Sequence, residues 1–201
     1  MIRIRSLLRC CIAGLLLVVA AACTVPTNDE PVELSGSIVP ETTTSSSTSS
    51  PQTATRDAFV YFLETGDGAT VLRRVPRSIE AGTGVQGVLS NLFTQRPREE
   101  ETTEQGLSSA IPESATLLSA VADPDDPNLL VVDVRNLFGA EGGIQGSELR
   151  NALAQIVWTA TEGDPALQVV FLQDGERRQA LVDDLESTDD AVDRDDYQRN
   201  N

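Results

Sequence analysis

The most restrictive feature of this chain is a helix signature running directly into a strand signature. Leu149, Ala152, Leu153, Ile156, Val157 and Ala160 recur at i, i+3, i+4, i+7, i+8 and i+11, one apolar stripe on an amphipathic helix of about four turns. Ser147 ahead of Glu148 reads as its cap, and Gly163-Asp164-Pro165 ends it. LQVVFL (Leu167–Leu172) follows as an almost unbroken apolar run, which reads as a central strand. A helix with one apolar stripe has to cover a second layer, so the two segments together demand a sheet with helices on it.

Earlier segments supply that sheet. DAFVYFL (Asp57–Leu63) and ATVLRRV (Ala69–Val75) are strand-like and separated by a Gly-containing turn, which predicts a hairpin. Val85, Val88, Leu89, Leu92 and Phe93 mark a first helix, stopped by Pro97 and the charged stretch Arg96–Glu101. Ala115–Asp123 and Leu129–Val134 form a second hairpin around Pro124–Asn128, and Leu181–Leu185 suggests one more helical turn. The order strand, strand, helix, strand, strand, helix, strand predicts an α+β fold, a two-layer mixed sheet with two amphipathic helices.

Charge and missing residue types narrow the chemistry. The 15 basic residues are all Arg, against 31 acidic ones, for a net charge of −16 and no His. Such a balance excludes a nucleic-acid binder, which needs clustered cations in excess. Without His or Lys there is no Ser-His-Asp or Cys-His catalysis, no His-ligated zinc, no Schiff base and no P-loop. No cofactor is implied.

The two ends read differently from the middle. Residues 1–22 carry Arg3, Arg5 and Arg9, the apolar run Ile12–Val19 and small residues Ala20-Ala21-Ala22, the pattern of a signal peptide. The uncharged run from Cys10 to Cys23 is shorter than the roughly 20 residues that span a bilayer. Cys after small residues resembles a bacterial lipoprotein signal, in which Cys23 is acylated and becomes the first mature residue. That family usually has Leu three positions before the Cys, where this chain has Ala20. Ala20-x-Ala22 also suits ordinary signal peptidase, which would leave Cys23 as a free thiol. Cys10 and Cys11 lie inside the signal, so the exported domain is expected to contain no disulfide. Residues 23–56 comprise this Cys and a Ser/Thr/Pro-rich tether without aromatic residues, with an expected reach of about 30 Å. The same composition fits an O-glycosylated stalk. Residues 57–185 form the domain, and residues 186–201 are acidic and expected to be disordered.

RRVPRSI (Arg73–Ile79), GVLSNLF (Gly87–Phe93), SAIP (Ser109–Pro112), VVDV (Val131–Val134), LRNALAQIVWTATE (Leu149–Glu162) and VVFLQDGE (Val169–Glu176) stand in an order that resembles the GerMN domain. The helix LAQIV followed by a V-x-F-x-x-DG strand and turn is the most specific part. EEETTEQ (Glu99–Gln105) departs from the Gly-Pro-containing loop common at its place and reads as a loop. The resemblance implies a fold like the ring-building modules of envelope assemblies and a non-catalytic role. It also implies kinship with sporulation and germination lipoproteins, and with actinobacterial lipoproteins paired with sensor kinases. Expected partners are therefore the membrane, through the lipid anchor on its extracytoplasmic face, and an envelope or sensor-kinase protein, with a homo-oligomer as a further option.

Against that stands a cell-wall ligand-binding or hydrolytic domain built on carboxylates such as Asp133, Glu141, Asp164 and Asp174. Its weakness is that the aromatic residues a sugar platform needs fall on strands and helix faces. Asp123-Pro-Asp-Asp-Pro-Asn128 offers oxygen ligands to calcium or, equally well, a hairpin turn, and the bland reading assigns no metal. One residue breaks the core pattern. At 100° per residue Trp158 points away from the helix's apolar stripe. It is therefore the interface candidate, unless Glu99–Gln105 or the tether folds over it.

Overall fold

The computed structural model describes residues 54–66, 69–139 and 143–198. The expected signal peptide, the expected acylation site Cys23 and nearly all of the tether lie outside these residues, as does Glu141. The tether's last residues do not: the first strand, β1, begins at Thr55 and runs to Gly66.

β1 pairs antiparallel with β2 (Ala69–Glu80), in register from Thr55 opposite Glu80 to Gly66 opposite Ala69. Alternation is the reason: Ala58, Val60 and Phe62 of β1 face the core with Val75 and Ile79 of β2, while Arg74, Pro76 and Ser78 face out. Helix α1 (Gly84–Thr94) buries Val88, Leu89, Leu92 and Phe93, the stripe read from the sequence. The segment expected as a loop is helix α2 (Glu99–Gln105), closed by Gly106 in the left-handed conformation. It has no apolar stripe, so periodicity cannot find it. Its register is set instead by Glu101, whose Oε2 accepts the Arg98 N–H at 2.8 Å and whose two oxygens take a bidentate pair from Arg77 of β2.

β3 (Leu107–Ser108) pairs with β1, giving a three-stranded sheet in the order β2-β1-β3. A second sheet has the order β4-β5-β6-β7, from β4 (Thr116–Ala122), β5 (Leu129–Arg135), β6 (Gln168–Gln173) and β7 (Glu176–Arg178). β4–β5 is the expected second hairpin, with a bulge at Leu118. β5 and β6 are parallel, and parallel neighbours need a crossover, which helix α3 (Gly146–Ala160) provides. The fold is the expected mixed α+β type, with its strands divided between separate sheets and a third helix added. Ser147 is not the cap of α3: the helix starts at Gly146, with φ at +58°, and Gln145 stands before it without a side-chain cap.

The C-terminal segment corrects the expectation of disorder. Ser187–Thr188 (β9) pairs with Ala180–Leu181 (β8), and Val192 exchanges both backbone hydrogen bonds with Val169 at the edge of β6. Val192 and Tyr197 are buried to 1% and 2% exposure. Two apolar anchors hold an otherwise acidic segment, and an average over composition hides them. Leu181–Leu185, expected as a helical turn, is the end of β8 followed by a 3₁₀ turn at Asp183–Leu185.

Candidate interaction site

The unusual part of α3 is its polar residues. Gln155 and Thr159 are fully buried, and both reach the open edge of β1. The Tyr61 N–H donates to Thr159 Oγ1 at 3.0 Å, and Gln155 Nε2 donates to the Tyr61 carbonyl at 2.9 Å. The Gln155 carbonyl oxygen accepts the Ala110 N–H at 2.7 Å. Beyond the short pairing with β3, β1 has no further strand on this side, and two helix side chains meet its backbone requirement. The same alternation turns Phe59 toward this edge, so its opposite number Pro76 needs no N–H to pair.

Holding Tyr61 in place aims its ring at Trp158. The centroids are 5.4 Å apart with planes tilted by 56°. Tyr61 Oη donates to Glu162 Oε2 at 2.6 Å, Arg74 Nε to Glu162 Oε1 at 2.6 Å, and Arg194 Nη2 to Oε2 at 3.2 Å. Burial would raise the Glu162 carboxyl, but these hydrogen bonds outweigh it and hold the group below the ordinary carboxylate range. Burial, together with the bond to Glu162 and its charge, pushes the Tyr61 phenol up to about 12.

Trp158 does point away from the helix's apolar stripe, yet it is half-buried. Among the described residues its cover is not α2 but Tyr61 and the C-terminal segment, and nearly all of the tether lies outside those residues. The Arg194 guanidinium lies 4.6 Å from the indole centroid, donates to the Trp158 carbonyl at 3.0 Å and reaches Thr161 Oγ1 at 2.7 Å. The indole Nε1 is buried and has no hydrogen-bond partner among the described residues. Beside this cluster, Phe59, Val85, Val88, Ala160 and Leu167 line a cleft of about 380 Å³ that also touches Glu162.

Of the carboxylates singled out from the sequence, Asp164 lines this cleft, whereas Asp133 and Asp174 lie elsewhere. Asp133 lies on the outer side of β5 and accepts the Gly175 N–H at 3.2 Å. Asp174 pairs with Arg135 at 2.6 Å on the surface. Asp164 caps its own turn through the Ala166 N–H. Asp123 accepts the N–H groups of Asp125 and Asp126, so the Asp-rich stretch is the turn of the β4–β5 hairpin. Among the described residues no group of three His, Cys, Asp or Glu side chains is placed to hold a metal. Sequence reasoning missed Tyr61, Arg74, Glu162 and Arg194 as a unit. The available signal was Arg194 itself, a lone cation among Asp193, Asp195 and Asp196.

Residues 59–179 match the family model for sporulation and spore germination, named Germane. The chain belongs to the Germane family. The match covers more than half the chain and ends before the segment that carries Arg194. Among solved structures, the Germane domain here is similar to the tandem GerMN domains of the sporulation protein GerM from Bacillus subtilis. Identity is 18% and the TM-score 0.51, with 71% of this chain and 45% of that one covered. The chain thus spans less than half the length of that relative. The first GerMN domain of the same protein aligns at 14% identity with a TM-score of 0.47, covering 73% of this chain and 99% of that one. No curated protein matches the chain. No helix among the described residues is long and apolar enough to cross a membrane.

Proposed function

We propose that this chain is a membrane-anchored Germane domain on the extracytoplasmic face, acting through protein contact in an envelope or signalling assembly and without catalytic turnover. The anchor is the acylated Cys23, and the tether holds the domain off the bilayer. One observation carries the non-catalytic reading. Glu162, the carboxylate best placed in the cleft, accepts from Tyr61, Arg74 and Arg194 and is kept ionised. A general acid needs the opposite shift, toward neutral pH. Trp158 then serves contact rather than chemistry: it is a half-buried aromatic edge with Arg194 stacked on it, connected to Glu162 of the cleft through Tyr61 and Arg194.

Photo-crosslinking in intact cells tests this, with the reactive residue placed at Asp164 on the cleft rim. Capture of one defined envelope protein, reduced by Trp158→Ala, is the expected result. Turnover of a peptidoglycan or oligosaccharide substrate that Glu162→Gln abolishes would overturn the proposal. Cys23→Ala should release the chain from membranes or leave it unprocessed, and continued incorporation of a fatty-acid analogue would remove the anchor assignment.

A further inference from the structure

We propose that the C-terminal segment is a self-docked strap, hinged at Asp184–Leu185, whose opening bares Trp158 and the margin of β6 to a partner. The hinge is strained. Asp183–Glu186 is a tight turn between β8 and β9, and its central residues Asp184 and Leu185 both have φ at +60°. A turn with two left-handed central residues calls for glycine at the second. Aspartate tolerates that region, but leucine carries the full clash of its Cβ with the carbonyl oxygen that follows. Leu185 gains little by packing, since it is 51% exposed. The ladder this turn closes is two pairs long, Ala180 with Thr188 and Leu181 with Ser187. Hinge and strap both lie beyond residue 179, where the family match ends.

The seat is imperfect as well. The strap is held by Val192 against Val169, by Arg194 on Trp158 and by the buried Tyr197. Nearer the hinge, Asp189 is tied to Arg177 and Gln179 through exposed contacts. Closure strands two polar atoms. Trp158 Nε1, on the residue the strap covers, and Tyr197 Oη, on the strap itself, are buried without a hydrogen-bond partner among the described residues. Such groups regain water when the cover lifts. Like charge crowds the strap too, with six acids against Arg194 from Glu186 to Tyr197, and a charged segment extends once freed. Hinge strain, stranded atoms and crowded acids favour the open form, whereas burial of Val192 and Tyr197 favours the closed one. Opposed terms of this kind put a segment at the low-stability end of a fold, where it opens by itself.

Opening has a specific product. β7 covers β6 from Phe171 to Gln173, so without Val192 the N–H and C=O of Val169 face outward as an unpaired strand margin. The indole loses its Arg194 cover in the same movement. An extended segment of the partner then finds main-chain groups and an aromatic face side by side. The proposal rests on the interaction reading above and adds the gate that controls it.

The test uses the full chain and two substitutions of one exposed residue. Leu185→Gly relieves the strain without opening the turn, and should slow exchange of the Val169 and Val192 amides severalfold. Leu185→Pro forbids the positive φ and removes the N–H that Leu185 donates to the Val182 carbonyl at 3.2 Å. It should speed that exchange severalfold, shift Trp158 emission to the red and raise iodide quenching. A disulfide between Leu181→Cys and Ser187→Cys locks the hairpin shut, and should lower capture by the Asp164 probe severalfold, with recovery on reduction. Unchanged exchange and quenching in both Leu185 variants, or undiminished capture by the locked chain, overturns the strap. An oxidised species of twice the chain's mass would place the strap on a second copy and overturn the intramolecular hinge. If the Asp164 probe captures nothing from any variant, the interaction reading falls, and exchange and quenching decide the hinge alone.

Discussion

Arg74 and Arg77 stand three residues apart on β2, and therefore on opposite faces of the hairpin; Arg77 binds Glu101 of α2 and Arg74 binds Glu162 just past the end of α3. The Arg77–Glu101 pair is sealed, with side-chain exposures of 1% and 11%, bidentate and confined to α2. The Arg74–Glu162 pair is open, with exposures of 49% and 21%, and branches to Tyr61 and Arg194. The sealed pair fixes one short helix, and its cost when broken is large because a charge is stranded indoors. The open pair adds little as a Coulombic contact but joins β1, β2, α3 and the C-terminal segment. Burial measures what a pair costs to break; branching measures what it organises.

The largest effect should come from stranding the sealed glutamate. Arg77→Ala is expected to cost about 3–5 kcal/mol in urea denaturation, whereas Arg77→Met with Glu101→Leu should be close to neutral. A mild single variant would mean that Glu101 has another outlet. Next is removal of the segment after Glu186, which takes away Val192, Tyr197 and Arg194 together. It should cost about 2–4 kcal/mol, shift Trp158 emission to the red and admit iodide, since Trp158 is the only Trp. Unchanged emission would deny the segment its role as cover.

Acid provides a third, smaller handle. Arg77's hydrogen bonds lead in lowering Glu101, and three donors overcome burial at Glu162. Both folded carboxyls ionise below their ordinary 4.5, so the unfolded chain takes up protons first on acidification. The stability they contribute is whole above that range and drains as the pH falls through the folded values. Glu101→Gln should flatten the fall between neutral pH and about pH 3, and a slope identical to that of the parent chain would contradict the shift. The smallest effect belongs to Arg74→Ala, at most about 1 kcal/mol and reduced further by salt. A loss as large as that of Arg77→Ala would erase the contrast between the two pairs.

The long elements were legible because their periodicity is strong. The Val85–Phe93 and Leu149–Ala160 stripes and both hairpins appear where the alternation put them. The site was not, because its parts carry no periodic signal. Gln155 and Thr159 look like interruptions in a helix pattern, and only the open edge of β1, about a hundred positions away, explains them. α2 is polar on every side and is specified by Arg77, a residue of another element. Trp158 was identifiable as an exception, but what covers it was not, since Arg194 lies in a segment whose acidic composition argues against structure.

The hydrogen bond between Tyr61 and Thr159 spans 98 positions, which has a consequence in time. A chain is made from its N-terminus, so β1 and β2 exist before α3 does. At about 5–20 residues per second, the edge of β1 waits roughly 5–20 s for the side chains that will satisfy it. Pro76 and the arginines of β2 guard the other margin of the hairpin throughout that interval, but nothing yet made guards this one. The nascent hairpin is thus most adhesive on the side where α3 will later bind. Any factor that attends this chain during its birth has its most urgent work there.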